Sequence, residues 1–74
     1  MAIVKVIEVL AQSPNSWEEA TQMALMEAAK TIRDIQNIYI KDFQVVVEND
    51  KITQYRVNAK ISFLIHNEMR GDEP

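Results

Sequence analysis

The sequence has no cysteine, one histidine and one glycine among its 74 residues. Without cysteine no disulfide can form. A structural zinc site is not expected either, because such sites use several cysteine and histidine ligands and this sequence has one histidine and no cysteine. The single glycine, Gly71, cannot build the glycine-rich loop of a Rossmann fingerprint or a P-loop. The sequence also has few residues for nucleophilic catalysis, because there is no cysteine, His66 lies near the final residues and no serine has a neighbouring base in sequence. We therefore expect no enzyme and assign no catalytic residue.

A strong charge of one sign and a long apolar run are missing as well. The formal net charge is −3 with acidic and basic residues interspersed, which does not indicate a nucleic-acid-binding surface. The longest apolar run is far short of a membrane span, and the first residues lead into a strand pattern rather than a signal peptide. We expect a cytoplasmic protein that binds neither nucleic acid nor membrane.

The length of the chain limits how much surface it can bury. A folded chain of this size exposes roughly 4,700 Å² and its unfolded form roughly 12,000 Å². If about 60% of the difference is apolar, burial stabilises the fold by roughly 110 kcal/mol. Ordering the chain at about 1.5 kcal/mol per residue costs roughly the same. A lone protomer is therefore marginal, and self-association is the stabilising device that remains.

Three segments have the composition of β-strands, namely residues 2–11, 38–48 and 51–65. The third alternates strictly: odd positions from Tyr55 to Ile65 are apolar and even positions from Gln54 to Ser62 are polar. Successive side chains of a strand point to opposite faces, so one face must be covered and the other can hold a polar ligand. The second strand needs a bend or bulge near Lys41-Asp42 to bring its apolar residues to one face.

One helix is predicted to begin after Ser16 and to run to about Asp34 or Ile35. Ser16 and Glu19 have the spacing of a capping box, in which Glu19 reaches back to the Ser16 N–H. The apolar face is largely alanine, which lets the helix lie close to a sheet, and it holds Trp17, Ala20, Ala24, Ala28, Ile32 and Ile35. We expect Trp17 to pack in the core against Val4 or Ile7. Met23 and Met26 point away from this face, and we interpret them as a contact surface between subunits, with solvent exposure as the alternative.

The element order is therefore β-α-β-β, an α+β fold in which a three-stranded antiparallel sheet wraps around one helix. Residues 1–66 form a single domain in this interpretation, and the polar residues 67–74 form a flexible tail. The segment from Glu48 to Lys51 is predicted to be a hairpin turn, because Asn49 and Asp50 tolerate positive φ. Its oxygens could hold a hard cation, but a solvated turn is the simpler reading and we assign no metal site.

The candidate ligand site lies on the polar face of the sheet. Tyr39 offers an aromatic plane, Arg56 a planar cation with five donors, and Asn37 both a donor and an acceptor. With Lys41, these residues could bind a flat, polar heterocycle. The alternative is a solvated sheet face with incidental charges.

Several blocks of the sequence resemble the dodecin family over roughly residues 3–65. They are Val4-Lys5-Val6-Ile7-Glu8, the junction Ser13-Pro14-Asn15-Ser16-Trp17-Glu18, Thr31-Ile32-Arg33-Asp34-Ile35, Asp50-Lys51-Ile52, Tyr55-Arg56-Val57 and Lys60-Ile61-Ser62-Phe63. The resemblance implies a hollow homododecamer that is not an enzyme. It also implies flavin binding, as riboflavin or FMN stacked in pairs near two-fold axes, for storage or sequestration.

Two positions depart from the flavin-binding pattern of that family. A tryptophan just after the helix sandwiches the flavin ring and a glutamine on the third strand bonds its polar edge, whereas this sequence has Asn37 and Arg56 there. Losing the indole removes a stacking platform, and arginine cannot accept a hydrogen bond from the imide N–H. Two hypotheses follow: a shell that binds flavin or another small planar ligand near Asn37, Tyr39 and Arg56, and a flavin-free assembly with a structural or ion-binding role.

Overall fold

The computed structural model describes residues 2–66, in which three strands and one helix follow each other in the order β-α-β-β. The elements are β1 (Ala2–Ser13), α1 (Trp17–Ala29), β2 (Ile35–Glu48) and β3 (Lys51–His66). The strands form one antiparallel sheet in the order β1-β3-β2, so β3 is central. The predicted α+β fold is confirmed, while the predicted tail at 67–74 lies outside the described residues.

The alternation in β3 creates the core of the protomer. Val57, Ala59 and Ile61 are fully buried, and they lie on the face of the sheet that carries α1. Ala20 and Ala24 of the helix are also buried, so small side chains do let α1 approach the sheet closely. No helix in residues 2–66 is long and apolar enough to cross a membrane.

A β-bulge in β2 lies where the sequence pattern required one. The pairing register with β3 shifts between Ile40 and Asp42, which leaves Lys41 as the extra residue. Ile40 is opposite Ala59 and Phe43 is opposite Val57, so the apolar residues on both sides of the bulge face the helix. The predicted bulge is therefore confirmed.

The turn between β2 and β3 is a two-residue hairpin. Asn49 has φ 53° and Asp50 has φ 63°, which is the left-handed conformation at both central positions. Asparagine and aspartate adopt this conformation more readily than other residues that have a Cβ atom, so the turn prediction is confirmed.

The two ends of α1 differ from the prediction. At the start, the Ser16 hydroxyl accepts a hydrogen bond from the Glu19 N–H at 2.9 Å, but the Glu19 carboxylate binds Ser13 and Asn15 rather than the Ser16 N–H. At the end, the helix stops at Ala29, five residues before Asp34. The reason is that Asp34 adopts φ 60° and its carbonyl accepts from the Leu64 N–H at 3.1 Å, which draws the chain into the sheet.

Trp17 also lies elsewhere than predicted. Its ring makes edge-to-face contacts with Phe43 and Tyr55, with ring centroids 5.5 Å and 5.2 Å apart. The indole Nε1 donates to the carbonyl of Gln44 at 2.9 Å. The expected contact with Val4 or Ile7 is wrong because α1 begins beside the end of β1, where Ser13 is opposite Tyr55. Ile7 lies six residues back along β1, roughly 20 Å away.

Candidate functional site

The face of the sheet opposite α1, which we call the outer face, has no helix or strand of residues 2–66 packed on it. Since paired residues share a face, the register assigns side chains from all three strands to it. They include Glu8, Leu10 and Gln12 of β1; Asn37, Tyr39, Asp42 and Gln44 of β2; and Gln54, Arg56, Asn58, Lys60 and Ser62 of β3. This mixed, largely polar surface is the best candidate for a ligand site.

The three residues predicted from sequence all lie on the outer face, but in two places. Asn37 is opposite Ser62 and Tyr39 is opposite Lys60. Arg56 is opposite Gln12 on one side and Gln44 on the other. Lys60, which is opposite Tyr39, lies four positions along β3 from Arg56, roughly 13 Å along the strand. A single protomer therefore does not bring the three side chains together.

Tyr39 offers a ring that is available to a ligand, since 61% of the residue is exposed. Lys41, the fourth residue of the predicted set, forms an ion pair with Glu8 of β1 at 3.6 Å, which places its charge on the outer face. Both side chains of that pair are about half exposed, so the pair adds little stability.

Arg56 is held in place by a residue that sequence reasoning missed. Its Nε and Nη2 atoms donate to Oε1 of Gln12 at 3.1 Å and 3.0 Å. The guanidinium is therefore fixed against β1 by two bonds to one neutral acceptor. Gln12 could have been found from sequence only by aligning β1 with β3, because 44 residues separate the partners.

Asn58 is a second residue that the sequence did not single out. It lies between Arg56 and Lys60 on the outer face, and its Oδ1 atom is buried without a hydrogen-bond partner. An unpaired buried acceptor is costly, and most such atoms in folded proteins have a partner. In the protomer this acceptor is therefore a local energetic cost, and its burial closes it to a donor from solvent.

The junction between β1 and α1 contains a polar network that is complete within the chain. The buried Ser13 hydroxyl donates to the Glu19 carboxylate and accepts from the Asn15 N–H at 3.0 Å. Asn15 Nδ2 also donates to Glu19 at 2.6 Å. The hydrogen bonds from Ser13 and then Asn15 lower the pKa of Glu19, against a smaller opposing effect of desolvation. This network stabilises the junction and leaves little for a ligand to bind.

No cluster of three or more histidine, cysteine, aspartate or glutamate side chains that could hold a metal ion occurs within residues 2–66 of one protomer. Glu48, Asn49 and Asp50, the oxygen-rich segment considered above, form the hairpin turn.

Two largely apolar grooves flank α1. The groove between α1 and β2 has a volume of about 330 Å³ and is lined by Trp17, Leu25, Ile38, Ile40 and Phe43 among others. The groove between α1 and β1 has a volume of about 280 Å³ and includes Leu10 and Met23. Met23 and Met26 are 48% and 60% exposed, as their positions on the helix predicted. Their role as a contact surface between subunits stays a prediction.

Comparison with known proteins gives a consistent result. The family model Dodecin matches residues 3–66. The calcium dodecin of Mycobacterium tuberculosis is 30% identical over 74 residues, covering 100% of this chain and 99% of its own. A crystal structure of that calcium-chelating protein, described as having a novel calcium-binding site, is 32% identical with a TM-score of 0.75 and covers 97% of each chain. The dodecin of Streptomyces coelicolor is 21% identical with a TM-score of 0.86, covering 90% of this chain and 96% of its own, and agrees in fold.

Proposed function

This chain belongs to the dodecin family, and we propose that it is a self-assembling, non-catalytic protein that binds a small ligand on the outer face between copies. The observation that carries the proposal is the outer face itself. It displays the exposed Tyr39 ring and the Arg56 guanidinium, and no element of residues 2–66 covers it. The predicted homododecamer and cytoplasmic location belong to this proposal.

Self-assembly is supported by the apolar surface that one protomer leaves exposed. Thirteen large hydrophobic residues in the described part of the chain are at least 37% exposed, and they are Ile3, Val4, Val6, Leu10, Trp17, Met23, Met26, Tyr39, Phe43, Val45, Val47, Ile52 and Ile65. Exposed apolar surface that is contiguous marks an interaction surface. Packing between copies would bury the apolar side chains that the single helix leaves exposed.

Riboflavin or FMN is the first ligand to test. Tyr39 supplies a plane on which an isoalloxazine ring can stack, and Arg56 supplies donors for its carbonyl oxygens. Because these two residues lie roughly 13 Å apart along one protomer, Tyr39 of one copy and Arg56 of another would have to contact the same ring. Flavin binding therefore depends on assembly in this proposal.

Titration of riboflavin and FMN into the assembled protein tests this ligand. We expect quenching of flavin fluorescence at micromolar protein, and replacing Tyr39 by leucine should weaken binding by about tenfold because the stacking surface is lost. Tyr39→Phe is the matched control, since it keeps the ring. No quenching by the parent protein would remove flavin as the ligand.

The double variant Asn37→Trp with Arg56→Gln tests whether the two departures from the family pattern limit flavin affinity. It restores an indole plane and a side chain that both donates and accepts. We expect the variant to bind flavin at least tenfold more tightly than the parent. Equal affinity of the two proteins would show that other residues set it.

A flavin-free, calcium-binding assembly is the second candidate, because the similar protein from Mycobacterium tuberculosis is a calcium dodecin. Calcium takes six to eight oxygen ligands, so carboxylates of several copies would have to meet. Isothermal titration of Ca²⁺ into the assembled protein, with Mg²⁺ as the control ion, tests this candidate. A calcium isotherm that is unchanged when the assembly is dissociated would contradict a site shared between copies.

A further inference from the structure

The helix is much shorter than the sheet on which it packs. α1 has 13 residues and a length of roughly 20 Å, whereas β3 has 16 residues and spans roughly 53 Å. Because α1 begins beside Ser13, it reaches back along roughly six positions of β1. The face of the sheet that carries α1, which we call the inner face, therefore extends beyond both ends of the helix.

The first extension, which we call the hairpin end, lies beyond the start of α1. Val45 is opposite Tyr55, whose ring contacts Trp17 of the helix, so Val45 lies on the inner face. A register shift just before Val47 brings Ile52 opposite it on the same face. Val45, Val47 and Ile52 are 38%, 58% and 53% exposed. The hairpin end is therefore an apolar surface that a single protomer leaves uncovered.

The second extension, which we call the β1 end, lies beyond the last turn of α1. On β3, Phe63 and Ile65 continue the alternation of the buried Ile61, so their partners Lys5 and Ile3 also lie on the inner face. Ile3 and Ile65 are 48% and 37% exposed, and Lys5 beside them is exposed too. This end therefore places one ammonium group in an otherwise apolar surface.

The charges at the two ends differ in sign. Lys5 takes part in neither of the ion pairs found in residues 2–66, and the neighbouring charges of Arg33 and Asp34 are opposite to each other. On the hairpin side the acids outnumber the one lysine, and these residues are Glu18, Glu19, Glu48 and Asp50 against Lys51. Within the described residues, the β1 end is therefore net positive and the hairpin end net negative.

We infer that the hairpin end of one copy packs on the β1 end of the next, so that copies join head to tail. This inference rests on the proposed self-assembly and names the two surfaces that meet in it. Packing like ends together would bring two Lys5 side chains, or two groups of hairpin acids, into one apolar contact, and like charges across an interface are unfavourable. Packing opposite ends places the Lys5 ammonium near Glu48 and Asp50 and covers apolar residues of both copies.

A single copy cannot make this contact with itself, because its two ends lie far apart. Ile52 and Ile65 are separated by 13 positions of β3, roughly 43 Å along the strand. The contact uses two different surfaces, so it is heterologous, and its repetition gives a ring if the rotation between copies closes.

The absence of cysteine from the chain allows a direct test by cross-linking. Ile3→Cys at the β1 end is combined with Val47→Cys at the hairpin end, and the assembled protein is treated with a short bismaleimide. In denaturing electrophoresis we expect a ladder of linked copies from the double variant, and about tenfold less linking in either single variant. Ile65→Cys with Ile52→Cys repeats the test at the opposite residues of β3, should the first pair fail to assemble.

Charge exchange tests the role of Lys5. In the background of Ile3→Cys with Val47→Cys, Lys5→Glu should lower the yield of linked copies about fivefold, and adding Glu48→Lys should restore it. Asp42→Lys is the matched control for the second change, because it restores the same net charge on the outer face and should leave the yield low. A yield that Lys5→Glu does not change, or that Asp42→Lys restores equally, would overturn the pairing of Lys5 with the hairpin acids.

The cross-links themselves decide the direction of packing. Linked dimers of either single variant would overturn the inference, since they require like ends in contact, and so would the absence of links in both double variants. Light scattering of the parent protein separates this outcome from the fate of the proposed function. A monomeric parent removes the proposed self-assembly and this contact with it, whereas an oligomeric parent whose ends do not cross-link overturns the head-to-tail contact alone.

Discussion

The ionised carboxylate of Glu19 contributes to the stability of the fold through hydrogen bonds within the chain. Its carboxylate accepts hydrogen bonds from the Ser13 hydroxyl and the Asn15 amide, and these bonds hold its pKa below the ordinary value. Because the pKa is lower in the folded than in the unfolded state, the ionised carboxylate stabilises the fold at neutral pH. That contribution is present above about pH 4.3, the ordinary value for glutamate, and is lost as the pH falls through the folded value.

Replacing Glu19 by glutamine should therefore have an effect that depends on pH. We expect Glu19→Gln to lower the melting temperature at pH 7 and the gap to the parent protein to shrink as the pH falls toward 3. Circular dichroism at one fixed protein concentration measures both melting temperatures, since the proposed assembly would make them depend on concentration. Glu18→Gln is the control because it removes the same charge from the same helical turn. A gap that stays constant from pH 7 to pH 3 would contradict the role of the carboxylate.

Arg56 shows where sequence reasoning about single residues stops. Its polar type and its place on the polar face of β3 could be predicted from the alternation around it. Its bond to Gln12 could not, because that depends on the register between β1 and β3, which no local pattern contains. The unpaired Oδ1 of Asn58 is likewise a property of packing, since neighbouring side chains decide whether water reaches it.

Among the elements, the hairpin between β2 and β3 sets the register of the sheet. Both Asn49 and Asp50 have positive φ, which favours glycine at the second position. We expect Asp50→Gly to raise the free energy of unfolding by about 0.5 kcal/mol and Asp50→Ala to lower it by about 1 kcal/mol. Chemical denaturation followed by circular dichroism measures both changes. The same response to glycine and alanine would contradict a left-handed residue at this position.

The elements also show which patterns carry structural information by themselves. Strict alternation in β3 was enough to predict its buried face, because successive side chains of a strand point to opposite faces. In β2 the apolar residues change from even to odd positions near Lys41, and this change was enough to predict the bulge there. The end of α1 was predicted too late. Helical spacing continues through Ile32 and Ile35, but the sheet captures Asp34 and Ile35, and a tertiary hydrogen bond outweighs local propensity.

At the scale of the whole molecule, the small core and the many exposed apolar residues both indicate that one protomer buries too little apolar surface by itself. Alanine at the helix–sheet contact brings the layers together but buries little area per residue, so the protomer has few large buried side chains. Under the proposed self-assembly, the exposed methionines on the opposite side of α1 are predicted to contact a second copy of the chain. Methionine packs well at such surfaces because its side chain is flexible and polarizable.

Replacing Met23 or Met26 by aspartate tests this arrangement. A charge buried without a partner costs several kcal/mol, so we expect either variant to dissociate the assembly while the protomer keeps its secondary structure. Light scattering after size-exclusion chromatography measures the mass, and circular dichroism reports the fold. Met23→Leu and Met26→Leu are the controls, since they keep an apolar surface. A particle of unchanged mass in both aspartate variants would show that these residues lie outside the subunit contacts.

In the sheet order β1-β3-β2, β1 and β2 are edge strands. In the isolated protomer each therefore has unpaired backbone N–H and C=O groups along one side. Several exposed aliphatic residues lie on these strands, among them Val4 and Val6 of β1 and Val47 of β2. Such strands recruit other chains by backbone hydrogen bonding, and without partners of the right geometry they nucleate amyloid-like aggregates. Under the proposed self-assembly, newly synthesised chains face a kinetic competition between oligomerisation and precipitation, and slow expression should favour the oligomer.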